Sequence, residues 1–383
     1  MWSLEETTHG TSLQSGVELM TAFRRPRIGL IGLGNIGQYH ATQLQALDAD
    51  LVGGLDIAAA ARNRFESEFG VTAYEDTDDL YEVADAVIIT TPNLFHEEYA
   101  VGALNAGLDV LLEKPLAHSL ESAERIVTTA KKADGFCMLG FNNRFSNAVK
   151  VLKDYQRQGR FGEVTHIEAN YVRQRGIPGR GSWFTNKDIA GGGALIDLGV
   201  HAIDLALYLL DYPEVVETAG VTRSQFGGRD DYTPIEMWGK DAGPADFNVD
   251  DSVSAFIRCT EGRTVSLEVA WATNRPPTDE FVIRGTEAGA KFDRGTHELT
   301  LYEAGSSGSN HLIDSTVTTQ QSNTHQAEQA VFLEGVRTGE HPCHNTVEEG
   351  IAVQRVIDAI YRSSESGQTV TLQNTAKPIP NAD

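Results

Sequence analysis

Ile28-Gly29-Leu30-Ile31-Gly32-Leu33-Gly34-Asn35-Ile36-Gly37 is the stretch on which the fold turns. Its apolar start suits a buried parallel strand, which flows into G-x-G-x-x-G carried by Gly32, Gly34 and Gly37. Gly32 allows a tight turn, Gly34 lets the backbone approach a diphosphate, and Gly37 lets helix and strand pack closely. The helix-like stretch that follows, through His40, Leu44 and Leu47, presents free N–H groups at Asn35 and Ile36 where an anionic diphosphate is favoured. A second apolar run, 51–55, ends in Asp56, where an acidic side chain would grip the ribose hydroxyls of an adenosine. Strand, cradle, helix, strand and terminal acid in this order predict a dinucleotide site. The plain alternative is a tight strand-to-helix turn that binds nothing.

Outward from this unit, residues 27–141 alternate short apolar runs with helical stretches, as βαβ units of a parallel sheet do. A third buried strand, 86–90, ends at Thr91-Pro92-Asn93. The next, 110–112, runs into Glu113-Lys114-Pro115. The texture changes after about residue 148. A helix (149–158) and a strand (164–172) precede a Gly-, Pro- and Arg-rich loop (173–193) and one apolar helix (195–210). Alternating β patterns follow, with hairpins expected at 252–259/264–271 and 281–284/290–293. Segments 226–248 and 304–310 read as a long polar insertion and a flexible one. Two helices (326–337 and 347–363) and a short strand near 370–372 close the chain. The expected fold class is α/β followed by α+β: a Rossmann parallel sheet, then an open, mainly antiparallel sheet. The expected division is a disordered extension (1–23), a dinucleotide domain (24–147), a domain for substrate and oligomerisation (148–372) and a tail (373–383).

Composition narrows the function. The 383 residues carry 54 acidic against 31 basic side chains, a net charge of −23, and only 9 of the basic ones are lysines. Nucleic-acid backbone binding needs a basic face and is excluded. Few lysines with abundant Asp and Glu predict adaptation to a high-salt cytoplasm, where screening tames self-repulsion. The alternative is an ordinary acidic enzyme. No run approaches the length of a membrane helix, and the start lacks a secretory signal, so a cytoplasmic protein with no membrane partner is expected. Cys137, Cys259 and Cys343 are far apart and not in metal-ligand spacing, so inert thiols and no metal are expected.

On the apolar helix, Asp197, His201, Asp204 and Tyr208 fall within one narrow line at 100° per residue. Burying two carboxylates and an imidazole is costly, so the line is expected to face a wet cleft, with Asp204 as the candidate for a merely structural partner. Lys114 follows the carboxyl end of a parallel strand, where open α/β sheets bind ligands. It could accept a hydroxyl proton as hydride leaves the neighbouring carbon. The proline after it could make the Lys114–Pro115 bond cis.

These residues together resemble the glucose–fructose oxidoreductase, inositol 2-dehydrogenase and rhizopine-catabolism (Gfo/Idh/MocA) oxidoreductases. The resemblance rests on G-x-G-x-x-G, Thr91-Pro92-Asn93 with His96, Glu113-Lys114-Pro115, Gly191-Gly192-Gly193, Asp197-x-Gly199-x-His201-x-x-Asp204 and the closing Ser364-Glu365-Ser366-Gly367. Gly176-Ile177-Pro178-Gly179 and 183–187 are similar to the branch that includes levoglucosan dehydrogenase. The resemblance implies a catalytic group of Lys114, Asp197 and His201 acting on a sugar or cyclitol, with NAD as cofactor and NADP as the alternative. It also implies that Thr91, Pro92, Asn93, His96, Glu113, Asn143 and Arg144 border the cofactor, although Asn142-Asn143-Arg144-Phe145 departs from the family's usual Asn-Arg-Arg-Phe. Arg173, Arg175, Trp183 and Lys187 are candidate substrate contacts, and a homodimer or homotetramer built through the C-terminal sheet is implied. Lys114 and His201 both remain candidates for the immediate base. Two rival functions are an NAD-dependent glycosidase working by transient oxidation and a non-catalytic dinucleotide sensor.

Overall fold

The computed structural model describes residues 25–235 and 238–372. The extension expected at 1–23 and the tail expected at 373–383 lie outside the described residues. The first sheet contains β1 (Arg27–Ile31), β2 (Asp50–Leu55), β3 (Ala73–Tyr74), β4 (Ala86–Ile89), β5 (Asp109–Leu112) and β6 (Cys137–Leu139). All its pairs are parallel, in the order β3-β2-β1-β4-β5-β6. The chain reverses its direction of travel between β1 and β4, which opens a crevice at their carboxyl ends. That crevice is where the site lies.

Strands buried on both faces divide their side chains between two cores, as a period of two requires. Val87 and Ile89 of β4 enter one core, while Ala86 and Ile88 enter the other. Val87, Ile88 and Ile89, fully buried, each contribute about 1.5–3 kcal/mol of transfer free energy. A helix from the far end of the chain, Thr324–Thr338, closes the second core through Phe332 and Leu333. Phe332 meets Phe136 edge to face at 5.7 Å.

The second sheet contains β7 (Val164–Val172), β8 (Val215–Arg223), β9 (Ser252–Cys259), β10 (Thr264–Ala270), β11 (Thr278–Gly285), β12 (Ala288–Asp293), β13 (Leu299–Gly305), β14 (His311–Val317) and β15 (Val370–Thr371). Their order is β14-β13-β12-β11-β7-β10-β9-β8-β15. Only β7 and β10 run parallel, and both expected hairpins form, with Val265 opposite Ile257 and Phe281 opposite Phe292. Helices Val200–Leu209 and Val347–Ser366 pack on one face of this sheet. The long helix starts well because Thr346 and Glu349 form a reciprocal capping box.

Three expectations need correction. Residues 304–310 are the end and turn of a regular hairpin, since Leu299–Gly305 pairs with His311–Val317. The outer strand escapes a pattern search because it is an edge with mostly exposed residues, so no buried alternation marks it. The helical stretch Lys187–Leu209 is long and apolar enough by composition to cross a membrane, contrary to the sequence reading, but 89% of its apolar window is buried inside the fold. Finally, that stretch is not a uniform α-helix, because Leu195–Gly199 forms a wider π turn before Val200–Leu209 continues as α.

Candidate functional site

The glycine cradle forms one end of a cavity of about 990 Å3. Gly32 has φ of +92°, a conformation that L side chains rarely adopt. A Cβ on Gly37 would lie 2.0 Å from the Gly32 carbonyl oxygen, so only glycine permits this helix to approach the turn. No side chain caps the helix Asn35–Leu44, and Gly34, Asn35 and Ile36 line the cavity with their end of it. The buried hydroxyl of Thr91 has no hydrogen-bond partner and belongs to the same wall. Asp56 ends β2 at the cavity's edge, its carboxylate accepting from the Leu33 N–H at 2.9 Å and the Ala58 N–H at 2.8 Å. An uncapped helix start, an open glycine approach and a fixed acid at this spacing fit a dinucleotide.

The other end gathers Lys114, Asp197, His201, Trp271 and Arg173. Lys114 stands just beyond β5, and its bond to Pro115 is cis, as the sequence suggested. Its Nζ donates to Asp197 Oδ1 at 3.0 Å and to the Asp197 carbonyl at 3.3 Å. The indole N–H of Trp271 donates to Asp197 Oδ2 at 2.9 Å. Burial works to raise the Asp197 pKa, but the charges of Lys114 and Arg173 and the indole hydrogen bond outweigh it and hold the carboxyl below its usual value. His201 stands four residues on, with its Nδ1 buried and unpartnered. Burial, reinforced by the positive charges of Lys114, Arg294 and Arg173, drives its pKa well below the ordinary histidine value. The imidazole is therefore neutral at physiological pH.

Buried groups fix these side chains in place. Asp250 accepts from the N–H groups of Gly193 and Leu195 and from the Tyr361 hydroxyl, all at 2.8 Å. It thereby anchors the start of the π turn that carries Asp197, a turn type that recurs at functional sites. Gln329 donates to His40 Nδ1, so the opposite ring N–H donates to Glu113 Oε1 at 2.8 Å. Glu113 Oε2 accepts from the Lys114 N–H at 3.1 Å. Burial alone would raise the Glu113 pKa; the hydrogen bond from His40, with His325 and Lys114 nearby, brings it down to about 2. Glu113 is thus a fixed anion that orients the backbone of Lys114.

Several expected site residues lie elsewhere. Arg144 is buried away from the cavity, bound to both oxygens of Asp204 (2.5 and 3.1 Å), to Glu349 at 2.9 Å and to the Tyr212 hydroxyl. It stacks on Tyr208 as well. The polar line on the apolar helix therefore divides along its length: Asp197 and His201 open on the cavity, while Asp204 and Tyr208 belong to the Arg144 cluster. Asn143 is buried, accepting from Arg294 at 3.1 Å, and Asn142 lines the cavity instead. The tight 3-10 turn Asn142–Phe145 puts neighbouring residues on different sides. His96 is wholly buried between the carbonyls of Pro115 (2.8 Å) and Thr91 (2.9 Å), donating its one ring N–H to one of them, so it braces two cavity loops from behind. Lys187 is exposed and off the cavity, because it opens the short helix Lys187–Ala190 on its outer side. Arg175 is bound to the Thr273 carbonyl and the Asn274 side chain.

The remaining expected residues, Pro92, Asn93 and Trp183 among them, line the cavity, and Asn93 also donates to the Ala190 carbonyl at 2.8 Å. Sequence reasoning missed Trp271, Arg294, His325, Phe184 and Trp238, which also line it. Trp271 had one usable signal, its place at the very end of a strand expected to be buried.

Residues 26–141 match the family model described as "Oxidoreductase family, NAD-binding Rossmann fold", and residues 149–291 match the "GFO/IDH/MocA C-terminal domain". The chain is 27% identical over 354 residues to D-glucoside 3-dehydrogenase of Escherichia coli (strain K12), spanning 90% of this chain and 97% of that one. It is 30% identical over 287 residues to levoglucosan dehydrogenase of Pseudarthrobacter phenanthrenivorans, with 70% and 73% covered. Among solved structures, levoglucosan dehydrogenase in complex with NADH and levoglucosan has a TM-score of 0.80 at 23% identity, covering 92% of this chain and 100% of that one. At that identity the likeness is one of fold.

Proposed function

We propose, from the premise that this chain belongs to the GFO/IDH/MocA oxidoreductases and is an NAD(P)-dependent dehydrogenase of sugars or cyclitols, that Lys114, Asp197 and His201 carry its chemistry. The observation that supports this most is the 3.0 Å contact between Lys114 and Asp197, made across the two halves of the fold inside the cavity that the glycine cradle also lines. When bound, the nicotinamide supplies the hydride acceptor. His201, kept neutral by burial and neighbouring cations, takes the hydroxyl proton. Lys114, steered by Asp197, donates a hydrogen bond to the same substrate oxygen. Asp197 is itself held by Trp271, so the lysine has one place to stand. Arg173 and Trp183 contribute to the substrate end.

Asp56 favours NAD over NADP, since its carboxylate would oppose a 2′-phosphate. Arg62, the cation nearest in sequence to that phosphate position, is engaged by the carbonyls of Asp56 and Ile57 and by Glu75. Residues 24–147 form the dinucleotide domain in this reading, and 148–372 the domain for substrate and assembly. The outer face of the second sheet exposes Val221, Phe256 and Tyr302, which suits a homodimer or homotetramer; light scattering in molar salt checks it. Free thiols at Cys137, Cys259 and Cys343 suit the cytoplasm.

The decisive experiment incubates purified protein with NAD or NADP and a panel of sugars and cyclitols in molar salt, following NADH absorbance. Accumulation of reduced cofactor with one sugar class is expected. Glycoside hydrolysis without net NADH would point to the glycosidase instead, and tight cofactor binding without any turnover to a sensor.

A further inference from the structure

The described residues of segment 226–248 have no regular secondary structure, yet they are firmly seated. Arg180, buried to 3% exposure, holds both carboxylate oxygens of Asp241 at 2.9 Å and donates to the carbonyls of Gly227 and Arg229. The Ala242 N–H returns to the Arg180 carbonyl at 2.9 Å, and the Gly179 N–H donates to the Trp238 carbonyl at 3.1 Å. These bonds present one large side chain to the cavity: Trp238, 46% exposed. Its ring meets Phe184 edge to face at 4.5 Å, and Phe184 stacks on Trp183 with ring centroids 3.7 Å apart. All three line the same cavity as Lys114, Asp197 and His201. A lone exposed indole would need no explanation, but three contiguous aromatic rings lining one cavity mark a binding surface.

We propose that Trp183, Phe184 and Trp238 form an outer subsite that receives a second, uncharged ring, so that the substrate is a glycoside, either a disaccharide or a sugar bearing a ring aglycone. This rests on the reading of the cavity as the substrate site of the dehydrogenase and names its substrate class. The wall offers aromatic faces and edges and two indole N–H groups, and none of its three side chains carries a charge. Aromatic faces with their partial negative charge receive the C–H face of a sugar ring or another aromatic ring. They offer a phosphate or carboxylate no cationic partner.

The test measures binding as well as turnover, so that it does not depend on the catalytic assignment. Phenyl β-D-glucopyranoside and phenyl β-D-galactopyranoside are compared with free D-glucose and D-galactose by calorimetry on NAD-loaded protein in molar KCl, and kcat/KM is measured for each. In the wild type the better phenyl glycoside should exceed its free sugar by about three- to tenfold, the size expected of one well-formed aromatic contact. That ratio should collapse towards one in Trp238→Ala and be largely kept in Trp238→Phe, with thermal melts confirming that both variants fold. Glycosides that bind no better than free sugars, a ratio unmoved in Trp238→Ala, or no binding of any glycoside would overturn the subsite. Ring-dependent binding without turnover would leave the subsite standing and overturn the dehydrogenase assignment of Lys114, Asp197 and His201 instead.

Discussion

Lys114 and His201 reach the same cavity from opposite halves of the fold, and their loss should be felt in the chemical step. Lys114→Ala and His201→Ala are each expected to lower kcat by a factor of about 10²–10⁴, the usual size of general acid–base loss, with much smaller changes in cofactor affinity. Near-wild-type turnover in both variants would remove them from the mechanism. The electrostatics of His201 add a pH signature. Its pKa lies well below 6.5 because burial and adjacent cations disfavour the charged ring, so the neutral base survives as pH falls past 6.5. The acid limb of kcat/KM for sugar oxidation should therefore lie below pH 6.5 and vanish from its position in His201→Ala. The same shift affects folding: the unfolded chain takes up this proton near pH 6.5 and the native chain does not, so stability present above that pH is lost as pH falls. The cofactor preference proposed for Asp56 is testable in the same way. A 2′-phosphate beside its carboxylate costs on the order of 1 kcal/mol or more, so wild type should favour NAD by about tenfold in kcat/KM. An Asp56→Ala variant with an unchanged NAD/NADP ratio would refute that.

At the level of elements, the apolar helix is the piece on which two functions meet. Its first part, bent by a π turn and anchored by Asp250, delivers Asp197 and His201 to the cavity. Its second part delivers Asp204 to Arg144, which also grips Glu349 at the start of the helix Val347–Ser366. Replacing Arg144 by methionine strands two buried carboxylates, at a cost of about 3–5 kcal/mol. We expect a marked fall in melting temperature with little change in NADH affinity. A large loss of NADH affinity in a variant of unchanged stability would return Arg144 to the cofactor site. The sequence placed all four polar residues on one line correctly, because 100° per residue is a property of the helix itself. It could not say where along that line the cavity ends, since Arg144 is 60 residues away in the chain.

For the whole molecule, a net charge of −23 makes compaction electrostatically unfavourable unless salt screens it. The melting temperature and activity are expected to rise from low salt to about 2 M KCl, well beyond the range in which screening is complete. A flat or falling melting curve would mark an ordinary acidic enzyme. The two sheets are not independent lobes strung on a linker, because the helix Thr324–Thr338 returns to complete the core of the first. Asn345 binds the same sheet edge, accepting from the Leu139 N–H at 2.7 Å.

The sequence by itself determined the parallel sheet, the glycine cradle with Asp56, the Glu113-Lys114-Pro115 turn, both early hairpins and the pairing of Asp197 with His201 on one helix. Each of these is local: a strand period, a glycine spacing, a helical angle or a turn that neighbouring residues specify. Tertiary structure alone decided that Asn142 and not Asn143 faces the cavity, that Arg144 is buried against Asp204 and Glu349, that His96 braces from behind, and that Trp271 pins Asp197. It also brought Trp238 over the site through Arg180. Those outcomes depend on buried partners far apart in the chain, where the cost of an unpaired charge or polar group selects the contact, and no local period records it.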